Sequence, residues 1–219
     1  MKHGVVRRLS AVLLCGLSFV VSAADALRPV GSPTSADVQH PAAVQQPPPA
    51  AGETIPLHYG INSVVLSATG EGATVLLARR ENFNAHGFDV VTLYIETREH
   101  DESPAQFTII PIFSSGAERL ELTAGGGADC RLNDFRLVHR AGRDAELITA
   151  SRQLGSSYAD PAVVKFEYFT LKRNASGDVG RPDFYFERQR TVMARRMYCD
   201  VNEAFDVELG LARYRPDDD

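Results

Sequence analysis

The sequence predicts a mainly β protein, an antiparallel β-sandwich with short helical segments, and three observations carry that reading. Apolar and polar residues alternate with period two. Val91, Leu93 and Ile95 interleave with Thr92, Tyr94 and Glu96, and Val164, Phe166 and Tyr168 interleave with Lys165 and Glu167. Such runs, rich in Val, Ile, Tyr, Phe and Thr, fit a pleated surface with one face buried. Clusters of Gly, Asn and Asp interrupt them every 8–12 residues or so, the spacing of a sandwich or barrel. No strand pattern alternates with a long helical one, which argues against a doubly wound α/β fold. No internal repeat is present.

Taken in order, the candidate strands are 63–68, 74–79, 91–96, 107–113, 119–123, 134–139, 146–152, 164–171 and 184–186. Within 164–171 the alternation changes phase, because Phe169 and Leu171 follow Tyr168 at the other parity. A register shift is the expected cause. The breaks are turn chemistry: Gly70 and Gly72 mark a hairpin, Asn84 and Gly87 a second turn, Gly125-Gly126-Gly127 a flexible loop, and 174–178 a further turn. One helix is expected near 202–209, capped by Asn202, with Phe205 and Leu209 four apart on one face.

Outside this region the composition changes. Lys2, Arg7 and Arg8 precede an apolar run over 9–21, and small residues follow it. A basic start, a short apolar stretch and an A-x-A site read as a secretory signal peptide over residues 1–26. Cleavage after Ala23 is the alternative to cleavage after Ala26. The run falls short of the ~20 apolar residues of a transmembrane helix. Cys15 lies inside it, behind Leu14, so it is not placed as a lipidated N-terminus. Residues 27–53 form a Pro/Ala-rich linker without periodicity or aromatics, too apolar-poor to order itself and biased by its prolines toward extended chain. One β-rich domain then spans 54–215, and 216–219 is an acidic tail.

The leader removes Lys2, Arg7, Arg8 and Asp25 from 23 basic and 28 acidic side chains, leaving 20 and 27 and a net charge of −7. That balance argues against a nucleic-acid-binding domain and suits a soluble exported protein. Two cysteines remain, Cys130 and Cys199. In an oxidising compartment two thiols normally pair, and neither a C-x-x-C nor a nearby His cluster suggests a metal or redox pair instead. The bridge would close a loop of about 70 residues, worth roughly 4 kcal/mol in the chain-entropy model.

Little in the sequence marks catalytic chemistry. There is no G-x-S-x-G elbow. After the leader the only lysines are Lys165 and Lys172, and the residues three before them are Ala162 and Phe169, so the Ser-x-x-Lys of serine β-lactamases is missing. The histidines are scattered, with no H-x-H and no H-E-x-x-H, so no zinc set and no other metal site or cofactor is expected. Asp134, Glu167, Asp183 and Glu187 occupy ordinary alternating positions and read as the solvated face of a sheet rather than a glycosidase pair. The triglycine lacks the Lys-Ser/Thr of a phosphate loop.

Charged and aromatic residues concentrate instead around the two cysteines. The blocks A-D-C-R-L-N-D-F-R-L-V at 128–138, G-S-S-Y-A-D-P at 155–161, G-R-P-D-F-Y-F at 180–186 and Y-C-D-V-N-E-A-F at 198–205 resemble the CarG-type family of periplasmic carbapenem self-resistance proteins. The resemblance covers the C-terminal half of the domain. It implies a periplasmic, non-enzymatic binding protein that contributes to carbapenem tolerance without hydrolysing the drug, by binding the β-lactam, a cell-wall enzyme or a partner resistance protein. The expected surface is the disulfide region, with Arg131, Arg136, Arg195, Arg196 and Tyr198 as candidate contacts, since an arginine there can pair with the carboxylate that every carbapenem carries. Two alternatives stand beside it. One is an envelope hydrolase whose site is assembled from distant residues. The other is a structural module that forms a homodimer through a strand edge.

Overall fold

The computed structural model describes residues 52–84, 86–97, 103–127, 129–155 and 157–211. The expected signal peptide, all but the last two residues of the linker, and the acidic tail lie outside these residues. Twelve strands and one helix follow in order: β1 Glu53–Thr54, β2 Gly60–Val65, β3 Gly72–Arg80, β4 Phe88–Thr97, β5 Gln106–Ile109, β6 Ile112–Ser114, β7 Ala117–Arg119, β8 Leu122–Gly125, β9 Asn133–His139, β10 Glu146–Arg152, β11 Ala162–Arg173, β12 Phe184–Tyr198 and α1 Val201–Leu209. The protein is mainly β, as its alternation predicts.

All twelve strands belong to one sheet, ordered β2-β3-β4-β8-β9-β10-β11-β12-β6-β7, with β1 added beside β9 and β5 beside β4. Every pairing is antiparallel except β12 with β6, where Phe186 stands beside Ile112. The ends of the path do not pair, so the sheet is not a closed barrel. It is nonetheless folded over. One apolar core takes Val64, Val75 and Leu93 from one end of the path and Leu147, Phe169, Phe186 and Ile112 from the other. The two halves therefore face each other across a shared core, as the layers of a sandwich do.

A second core lies on the outer face. Val138, Ile148, Phe166 and Tyr168 pack there with Val201, Ala204 and Phe205 of α1. The Phe166 and Phe205 rings meet edge-on, 5.5 Å apart. Parity explains both cores, because successive side chains of a strand point to opposite faces. On β9 to β11, Leu137, Leu147, Phe169 and Leu171 point inward, while Val138, Ile148, Phe166 and Tyr168 point out to the helix. β11 thus keeps its phase throughout and is buried on both faces. The expected register shift is real, but it is a bulge in β12: Tyr168 faces Arg190 while Phe169 faces Arg188, leaving Gln189 as the additional residue.

Two expected strands are split. Residues 107–113 divide at Ile110 and Pro111, because Pro111 has no N–H to continue a ladder. Ile110 N–H donates to Leu93 O (2.8 Å) and Pro111 O accepts from Phe186 N–H (2.8 Å), so the chain crosses there from β4 to β12. Residues 119–123 likewise divide: β7 pairs with β6, β8 with β4, and Leu120 and Glu121 run between them. The hairpin at Gly70 and Gly72 forms as expected, with Val65 opposite Gly72. The triglycine is more ordered than a flexible loop. Gly125 ends β8 at φ +119°, and a Cβ there would lie 3.2 Å from Gly87 O, so only glycine fits.

The N-cap of the helix lies two residues before the expected one. Asp200 is the N-cap, its carboxylate accepting from the backbone N–H of Asn202 (2.7 Å). Asn202 is buried in the first turn instead. Gly210 closes the helix in the left-handed conformation, and its N–H donates to Asp206 O (2.9 Å).

Candidate functional site

The disulfide between Cys130 and Cys199 is present, with Cα atoms 5.5 Å apart. It ties the start of β9 to the start of α1, and the Val201 N–H donates to Arg131 O (3.1 Å) beside it. Two of the four sequence blocks therefore meet, and a third supplies a loop against them. Buried Arg152 donates to the carbonyls of Tyr158 and Asp160, which holds the 158–160 segment in place.

The five arginine and tyrosine candidates separate into three environments. Arg131 bridges the carboxylates of Asp89 and Asp134, the latter at 3.4 Å. Arg136 is 2 % exposed. Its Nη1 lies 3.2 Å from Asp134, its Nη2 donates to Asn202 Oδ1 (2.6 Å), and its guanidinium sits 4.4 Å above the Phe205 ring. Asp89 also accepts from the Tyr59 hydroxyl (2.9 Å). This cluster links β4, β9 and the helix, and a cavity of about 30 Å³ beside it has room for a water molecule. Asp134, expected on a solvated face, is thus an interior carboxylate held between two guanidinium groups.

Arg195 and Tyr198 meet at Glu208. Arg195 Nε donates to Oε2 and the Tyr198 hydroxyl to Oε1, each at 2.7 Å. The bonds from Arg195 and Tyr198 hold the Glu208 carboxyl below its usual range. Burial and the Glu208 contact push the Tyr198 phenol up. Arg196 alone of the five is exposed without such a carboxylate clasp among the described residues. It stands on the second half of β12, where Val192, Met193 and Met197 are also exposed. Arginines among them (Arg190, Arg195, Arg196) charge that edge, a common guard against strand addition.

A wider hollow lies elsewhere. β8 and β9 pair only at Gly125 and Asn133, and diverge beyond that point. The gap is a cleft of about 470 Å³. Its floor is the inward face of β9, β10 and β11, carrying Asn133, Phe135, Thr149, Ser151, Lys165 and Glu167. Its wall is the crossing segment from Arg119 to Thr123. Glu167 is 8 % exposed, again not the solvated residue its alternation predicts. Arg188 Nη1 donates to it at 2.7 Å and Lys165 Nζ lies 3.5 Å away. Burial alone would raise this carboxyl, but the Arg188 hydrogen bond and the charges of Lys165, Arg188 and Arg119 bring it below its usual range. One carboxylate therefore answers three cations. Among the described residues, no three His, Cys, Asp or Glu side chains stand close enough to hold a metal ion.

A family model described as "Carbapenem resistance protein CarG-like" matches residues 57–207. The chain belongs to this CarG-like family. The match spans β2 to most of α1, so it includes the N-terminal half, which the four sequence blocks do not reach. The solved structure described as "Crystal structure of CarG" is similar with a TM-score of 0.58 and 23% identity, over 73% of this chain and 99% of that one. At that identity the likeness concerns the fold. No curated relative matches the chain.

Sequence reasoning passed over the cleft of this CarG-like domain. Lys165 stands between Val164 and Phe166, so it reads as solvent-facing, and Arg188 sits in a polar stretch with no apolar alternation to place it. The available signal was Lys165 itself, one of only three lysines in the sequence and flanked by residues that are buried on the other face.

Proposed function

We propose that this chain is an exported, non-enzymatic binding protein of the periplasm that contributes to carbapenem tolerance by holding the drug or its cell-wall partner rather than hydrolysing it. Membership of the CarG-like carbapenem resistance family over residues 57–207 is the observation that carries the reading. The signal-like start of the sequence supports export. A cleft of about 470 Å³ supports small-molecule binding, since ligand sites commonly measure some 300–1,000 Å³. Within the disulfide region, Arg131, Arg136, Arg195 and Tyr198 serve this function by positioning β9, β12 and α1, and Arg196 is the exposed contact to a partner.

Calorimetric titration of the purified chain without its first 26 residues, with the drug's absorbance followed in parallel, tests the proposal. Saturable heat with unchanged absorbance is the expected result. Loss of absorbance, abolished by a single carboxylate or histidine substitution, would replace the binding protein by a hydrolase.

A further inference from the structure

We infer that the cleft between β8 and β9 is the ligand site, and that it takes a small molecule bearing a carboxylate one carbon from an acylated nitrogen. This rests on the binding reading above, and it moves the site from the disulfide surface to the inward face of the sheet.

Three features of the cleft define the ligand. The first is charge. Lys165 and Arg188 flank Glu167 directly, and Arg119 acts on it from the opposite wall. Arg119 otherwise rests over the Phe169 ring, 5.7 Å from its centroid. Glu121 is exposed on the same wall, and Asp134 is already spent on Arg131 and Arg136. The cationic excess thus lies on the floor and over it, where a single carboxylate can be received by Lys165 and Arg119 together. A charge-assisted bond of this kind is about twice as strong as a neutral one.

The second feature is hydrogen bonding. Thr149 and Ser151 stand on β10 beside Lys165 and Glu167 of β11, since Thr149 pairs with Glu167 and Ser151 with Lys165. Asn133 pairs with Ser151 from the other side. Two hydroxyls and an amide therefore lie next to the cations, on the same inward face. They suit the amide or lactam that adjoins the carboxylate in this class. The third feature is shape. Phe135 and Leu122 supply apolar wall at the end of the cleft nearest the core, against which a ring or short aliphatic chain packs.

A β-lactam and the C-terminus of a short peptide both carry this chemistry. The test therefore uses two probes, a carbapenem and N-acetyl-D-alanyl-D-alanine, titrated calorimetrically into the wild-type chain and into the Lys165→Met and Arg119→Ala variants. Both replaced side chains are partly exposed, and far-UV spectra with thermal melts verify that each variant folds. The expected result is that at least one probe binds the wild type and that each variant weakens it about tenfold, with a loss of salt sensitivity. Carbapenem binding that neither substitution alters would overturn the cleft as the site and leave the binding function in place. Lys165-dependent binding of the peptide alone would uphold the cleft and remove the drug as its ligand. No heat with either probe would overturn the cleft as an anion site, whatever the chain does through a protein partner.

Discussion

Replacing Arg136 by alanine should unfold this domain far more readily than any exposed arginine in the same sequence blocks. The guanidinium touches four partners at once: Asp134 at 3.2 Å, the Phe135 carbonyl at 2.7 Å, Asn202 Oδ1 at 2.6 Å and the Phe205 ring at 4.4 Å. Truncation leaves Asp134 with the Arg131 guanidinium at 3.4 Å and the Phe135 N–H at 2.8 Å. Breaking a buried pair costs about 3–5 kcal/mol because the abandoned charge stays desolvated. The surviving Arg131 contact pulls the figure toward the lower end, and the buried Asn202 oxygen that loses its donor adds about 1 kcal/mol or more. A loss of about 4 kcal/mol follows, which for a domain of this size lowers the melting temperature by roughly 8–16 °C. Urea unfolding of the oxidised protein at pH 7 measures it. Adding Asp134→Asn to the variant should recover part of the loss, since the penalty comes from a charge rather than from packing. A single-variant loss under about 1 kcal/mol would refute the assignment of Arg136 as the interior link between β9 and α1.

Two further outcomes follow from the same structure. Replacing both Cys130 and Cys199 by alanine should cost about 4 kcal/mol, since the bridge spans 69 residues of sequence; urea midpoints with and without reductant measure it, and equal midpoints would mean the loop is already constrained by the sheet. Acid should weaken the fold through its depressed carboxyls. The Ser67 and Thr69 hydroxyls, with Arg173, hold Glu71 down from 4.5 to about 2, and Glu167 and Glu208 are also lowered. A folded pKa below the unfolded one gives stability that is complete above about 4.5 and is lost as pH falls toward 2. Thermal melts across that window should therefore fall steeply, and less steeply in Glu71→Gln; identical slopes would remove Glu71 as a contributor.

The architecture was legible where one face of a strand is buried and obscure where both are. β4 alternates cleanly, and its inward Val91, Leu93 and Ile95 are the residues the period selects. β10 matches its expected span, Glu146–Arg152, because turn residues bound it on both sides. Pairing is another matter. Alternation says which residues share a face but not which neighbour a strand takes, so the division of 107–113 between β4 and β12 depends on tertiary contacts that only Pro111 hints at. The helix cap shows a similar limit: Asp200 and Asn202 are both good capping residues, and Asn202 is withdrawn from that role by the buried guanidinium of Arg136.

The same ambiguity hid the cleft. Along the inward face of β11 the residues read Lys165, Glu167, Phe169 and Leu171, so one face passes from a charged hollow to the main core within seven residues. The outward face, Val164, Phe166 and Tyr168, is apolar because α1 covers it. In sequence, the two faces together look like a strand with a solvated side whose phase then slips. In the structure no side of β11 is simply solvated. Lys165 and Glu167 can stand on the core-facing side only because β8 parts from β9 after a single paired position, and Gly125 allows that parting by holding a backbone that a side chain would obstruct. The cleft is therefore a consequence of sheet topology. Its charged floor persists at the border of an apolar core because each buried charge there has an opposite partner and access to water, the two conditions under which such groups are tolerated.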